Sequence, residues 1–255
     1  MNKYIDFGEI ETWPDKLQRL VFDYSEKISK EKKADWENIR SGKAHYHFVA
    51  MPTYDRVKSE LEEFLFQSSA LAWHCTKLIN PERIKTNGLM LFSVALLKET
   101  IQSDMGNILS KKDQGKIIIK IDEYERDGFF ENRENQLWFL LNKEMWSDTG
   151  CREFFEFFGG EALRRVIESE LPEYYPIFQR VGNPYLVEFP VQLSQIESFQ
   201  RSNLADELIN YGIHSTTGER NPYIEAEGNV SDSISPIDIL DLIHLDKGRF
   251  ERLKF

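Results

Sequence analysis

The chain has 255 residues, enough for one large domain or two small ones, and its 41% hydrophobic and 13% aromatic content provides for a substantial core. A formal net charge of −11 works against non-specific nucleic-acid binding, which needs a basic face to neutralise phosphates. The two cysteines, Cys75 and Cys151, are too few for a disulfide framework and lack metal-site spacing, so both are read as reduced thiols; with no signal-like apolar opening and no run of about eighteen apolar residues, a cytoplasmic protein with no membrane partner is expected.

In chain order, Leu17, Leu20, Val21, Tyr24 and Ile28 fall at helical spacing and predict a helix over 15–40, with the charged stretch 29–38 as a solvated face. A second helix is predicted over 53–69, with Thr53 or Asp55 near its cap. Between them, 44–51 suits a short strand or loop. His45 and His47 there have the spacing of two metal ligands on one strand face, but a zinc site needs a third or fourth ligand.

Residues 70–78 read as a strand. Residues 79–87 read as a helix with Asn80 as N-cap, Pro81 at its first position and Gly88 just past its end. A helix over 93–112 follows, then 115–124 (GKIIIKIDEY), whose β-branched run predicts a strand, and a further strand over 135–142. Residues 150–171 look helical with a break at Gly159-Gly160, since each mid-helix glycine costs roughly 1 kcal/mol. Either two helices meet at that break or a ligand approaches it; Glu161 then opens the second helix and is a candidate catalytic carboxylate. The remaining elements are a strand over 184–193, a helix over 201–212 ending on Gly212, and strands over 222–230 and 241–246 separated by a turn. Strands and helices follow one another without regular βαβ alternation, which defines an α+β class.

The run His74-Cys75-Thr76 closes the strand over 70–78, and Asn87-Gly88-Leu89 closes the helix after it. This order resembles the first core strand of the ADP-ribosyltransferase fold, in its diphtheria-toxin and poly(ADP-ribose) polymerase branch. There a His-Gly-Thr or His-Gly-Ser strand is followed by a helix and a Gly-Leu turn. Near the far end, Glu225-Ala226-Glu227 is similar to the late strand bearing the family's catalytic glutamate, and 235–240 (SPIDIL) resembles the step into a final strand. The likeness spans roughly residues 71–246 and implies a split mixed β-sheet core of ADP-ribosyltransferase type, with residues 1–70 as a helical N-terminal extension packed on a 71–255 domain.

What the resemblance implies chemically is transfer of ADP-ribose from NAD to a macromolecular acceptor. Breaking the nicotinamide–ribose bond builds positive charge on the ribose, as in glycoside cleavage, and a carboxylate aimed at that sugar stabilises it. Glu227 takes that part by resemblance. Glu225 shares its strand face, because residues i and i+2 point the same way, and serves the acceptor as base. His74 and Thr76 bind the adenosine ribose, Cys75 contributes backbone groups to the nicotinamide amide, and Trp138 or Tyr185 stacks on the ring. Cys75 departs from the family's usual glycine. Proteins with this domain are often toxins, effectors or phage-defence components.

Three other readings stand beside this one. A non-catalytic interaction domain of the same fold fits the acidic composition and the lost glycine at position 75. A metal-dependent hydrolase would use Glu161 with His45 and His47. A Cys75 nucleophile would need His45, His47, His214 or His244 as base, since His74 points to the opposite strand face. The sequence has no Walker loop, GxGxxG or GxSxG.

Overall fold

The computed structural model describes residues 3–41, 51–147, 149–218 and 223–245, and shows an α+β protein. Its backbone divides into two compact units: residues 1–71 with 191–228, and residues 72–190 with 229–255. Residues 191–228 thus join the N-terminal helices in the first unit.

The first unit is helical. The stretch expected as one helix over 15–40 forms two, α1 (Asp15–Phe22) and α2 (Ser25–Arg40), followed by α3 (Pro52–Phe66). The break falls where Ser25 donates its hydroxyl to Phe22 O at 2.7 Å. The last helix of the unit, α10 (Ser198–Thr217), packs against all three. It runs five residues past Gly212, where the sequence suggested its end, and closes instead on Gly218 in the left-handed conformation. Gly212 serves another purpose: a Cβ there would lie 2.1 Å from Val21 O, so the glycine lets α1 cross α10 at backbone distance. Leu17, Leu61, Leu65, Ala205 and Leu208, all fully buried, fill the space between these helices.

Most residues of a five-stranded sheet fall in the second unit; its order is β4-β2-β1-β3-β5, with β1 Ser69–Leu78, β2 Leu137–Leu140, β3 Asn183–Gln192, β4 Glu227–Val230 and β5 Asp241–His244. Trp73 pairs with Leu140 in antiparallel β1–β2, and Tyr185 through Glu188 pair with His244 through Asp241 in antiparallel β3–β5. Beside the sheet, α5 (Val94–Ser103), α6 (Lys111–Arg126), α8 (Gly160–Glu170) and α9 (Tyr175–Arg180) share one apolar cluster around Ile101, Ile117, Ile121, Leu163, Val166 and Phe178.

The strand expected over 115–124 is helix α6. Ser110 caps it by accepting a hydrogen bond from Asp113 N–H at 3.2 Å, and Gln114, Ile117 and Ile121 form its buried stripe while Ile119 is 57% exposed. Spacing of three and four buries part of the isoleucine run against α5 and α8; the cap and that burial outweigh β-branched preference. The helix expected over 93–112 stops at Ser103, and its continuation is a turn that buries Met105 and Leu109 before Ser110 starts the next helix.

Candidate functional site

The His-Cys-Thr run lies on β1, and the strand sends its side chains to opposite faces. Trp73, Cys75 and Lys77 are buried, while His74 and Thr76 are only partly so. His74 Nδ1 sits 2.8 Å from Trp138 O on β2. Because a carbonyl only accepts, Nδ1 carries the proton, and a neutral ring then offers Nε2 as a bare acceptor. Burial pushes the His74 imidazole below its ordinary value, opposed by the bond to Trp138 O. Trp138 exposes 40% of its surface and donates its indole N–H to Gln136 Oε1 at 2.9 Å. His74 and Thr76 therefore share one face of β1 as an acceptor and a hydroxyl, while the Trp73–Leu140 register sets the Trp138 ring on the opposite face, with Cys75; Trp138 meets His74 through its backbone carbonyl alone.

The other expected residues are placed differently. Cys75 points away from His74 and Thr76, into a contact with the Cys151 thiol on α7 (Thr149–Glu156). Its side chain therefore occupies the opposite face of the strand, and the role given to this position by resemblance is a backbone one. Tyr185 lies on β3, across β1 from Trp138, and its ring packs on His244 of β5 with centroids 5.1 Å apart. Glu225 precedes β4 and Glu227 opens it; Ile224 and Ala226, which alternate with them, are buried, so both carboxylates are exposed and share a face.

Glu161 is the second residue of α8, directly after Gly159 (φ +87°) and Gly160 (φ +69°), both left-handed. The double glycine is a helix junction: a Cβ on Gly159 would lie 2.5 Å from Leu163 Cδ2. The Glu161 carboxylate is held by Arg133, from the turn before β2, at 2.6 Å and by Arg165, one turn further along α8, at 2.5 Å, so both ion pairs engage it within the fold. His45 and His47 lie outside the described residues. Among the described residues no group of three or more His, Cys, Asp or Glu could hold a metal ion, and no helix is long and apolar enough to cross a membrane.

The helical unit holds a polar cluster that sequence reasoning missed. Lys58 Nζ meets Asp206 Oδ2 at 2.7 Å, the Tyr54 hydroxyl donates to the same carboxylate, and Lys32 Nζ donates to Asn210 Oδ1 at 2.8 Å while lying over the Tyr54 ring. Glu31 accepts the backbone N–H groups of Thr53 and Tyr54 at 3.1 and 3.2 Å, capping α3 from outside its own helix. Burial lowers the Lys32 ammonium and raises both the Tyr54 phenol and the Glu207 carboxyl. Each helix alone presents these residues as ordinary surface charge. Their interlocking appears only when α2, α3 and α10 meet, and it fastens those helices.

The chain matches no family model, no curated protein and no solved structure.

Proposed function

We propose that the protein is an ADP-ribosyltransferase-like enzyme that takes NAD and a macromolecular acceptor as substrates. In this reading His74 Nε2 accepts a hydrogen bond from a hydroxyl of the adenosine ribose, Thr76 supports the same end, and Trp138 contributes the backbone carbonyl that orients the imidazole. Backbone groups at Cys75 hold the nicotinamide amide. Glu227 stabilises the cationic ribose as the C1′–N bond breaks and nicotinamide leaves with the bonding pair. Glu225 takes the proton that the acceptor's nucleophile gives up on forming the new bond to C1′. The split arrangement of the sheet belongs to the same proposal.

The observation that carries the reading is the His74 imidazole: its Nδ1 is fixed by Trp138 O and its ring is favoured neutral, so an acceptor is set beside Thr76 on a partly buried strand face. A non-catalytic interaction domain is the second reading, favoured by the Tyr185 ring being taken up by His244. The two separate in one assay. The chain is incubated with NAD labelled in the nicotinamide, together with cell extract as a source of acceptor, and nicotinamide release is measured for the wild type, Glu227→Gln and His74→Ala. The expected result is release that falls about 100-fold or more in Glu227→Gln, and a raised KM for NAD in His74→Ala. Equal rates for wild type and Glu227→Gln would remove the glutamate from the chemistry. Neither NAD binding nor release by the wild type would leave the interaction domain.

A further inference from the structure

The two cysteines of the chain are far apart in sequence and meet in the fold. Cys75 is buried on β1 and Cys151 is half-buried on α7. The same strand face reaches α7 a second time, because Lys77 donates to Glu156 O at 3.1 Å, and to Gln179 O at the end of α9. The two contacts match in length. Cys75 to Lys77 is two strand residues, about 6.6 Å, and Cys151 to Glu156 is five helical residues, about 7.5 Å. The helix therefore runs along β1, with a thiol pair near one end and an ammonium gripping its last-turn carbonyl at the other.

We propose that Cys75 and Cys151 form a peroxide-driven dithiol–disulfide pair that locks α7 onto β1. The half-buried Cys151 meets oxidant first: its sulfur attacks hydrogen peroxide, the O–O bond breaks, and Cys151 sulfenic acid and one water result. Cys75 sulfur then attacks the Cys151 sulfur, the S–O bond breaks, and the leaving hydroxide takes the Cys75 proton as a second water. Each turn consumes one peroxide and oxidises two thiols by two electrons in all. The greater exposure of Cys151 assigns it the first attack; the contact with Cys151 and burial both hold the Cys75 thiol above its ordinary range. The inference is independent of the NAD reading.

The test is hydrogen peroxide added to the reduced full-length chain, read by intact mass, free-thiol titration and peptide mapping without reductant. Both thiols are expected to vanish together, with a mass loss of two hydrogens, a cross-link between the peptides bearing Cys75 and Cys151, and full reversal by dithiothreitol. Amides of α7 should exchange more slowly in the oxidised form. Cys75→Ser should instead accumulate a sulfenic acid at Cys151 that dimedone captures. Oxygen gained at Cys151 while Cys75 stays titratable, disulfides formed only between two chains, or no loss of thiol at all would each overturn the proposal.

Discussion

Two basic side chains on β1 are pulled the same way by burial and answer to pH in different ranges. Burial lowers the Lys77 ammonium from its ordinary 10.5, and the side chain sits against two helix-end carbonyls that favour its charged form. His74 is the one that titrates within a working range. Its folded value lies below the ordinary 6.5, so as the pH falls the unfolded chain takes up the proton first. The stability that His74 contributes is thus fully present above about pH 6.5 and is lost as the pH falls through the folded value. His74→Asn keeps an N–H for Trp138 O and removes the titration. Urea midpoints at about pH 7.5 and about pH 5 should therefore fall more for the wild type than for His74→Asn. Parallel behaviour of the two proteins would mean that the imidazole is as easily protonated in the fold as out of it.

At the scale of elements, the turn after the short helix α4 (Glu82–Asn87) is the most tightly specified point of the second unit. Gly88 has φ +73° and ψ −161°, a region that side chains avoid, and a Cβ on it would lie 1.9 Å from Ile234 O. Leu89 and Ile234 exchange backbone hydrogen bonds at 3.0 and 2.9 Å beside it, so two segments distant in sequence are joined there. Gly88→Ala should cost about 3 kcal/mol in urea unfolding, whereas Gly115→Ala on α6, where nothing lies within 4 Å, should gain up to about 1 kcal/mol. A loss at Gly88 no larger than an ordinary surface substitution would show the turn to be pliable. This glycine was legible in the sequence because Asn-Gly after a helical period is a local stop signal, and β1 was legible as an apolar run between turns. The helix over 111–126 was not, because its isoleucines read as a strand until α5 and α8 supply the surface that buries two of them. The thiol pair and the Lys32–Tyr54–Asp206 cluster were not legible either: each joins elements whose adjacency is decided by packing, and no spacing along the chain encodes it. For the candidate site, the sequence located His74 and Thr76 on one strand face, while the engagement of Tyr185 by His244 depended on a β3–β5 pairing that only the fold supplies.

For the whole molecule, the division of the chain decides what a shortened protein can do. Residue 70 looks like a boundary in sequence, since helices precede it and a strand follows. Yet α10, at 198–217, belongs with α1, α2 and α3, and its Leu204, Leu208 and Ile209 are buried in that unit. Three apolar side chains of this kind are worth about 1.5–3 kcal/mol each when buried, so uncovering them is costly. The Lys58–Asp206 pair and the Lys32–Asn210 bond would be lost with them. A chain that begins at Leu71 keeps the cluster around Ile101, Ile117 and Val166 intact but leaves one face of α10 without its partners. Such a chain should bind an apolar dye such as ANS, aggregate at concentrations where the full-length protein stays monodisperse, and lose amide protection across 198–217 while retaining it in α5, α6 and α8. If α10 kept its protection in that fragment, the helix would owe its order to something other than α1–α3, and residues 1–70 would be a separable extension after all.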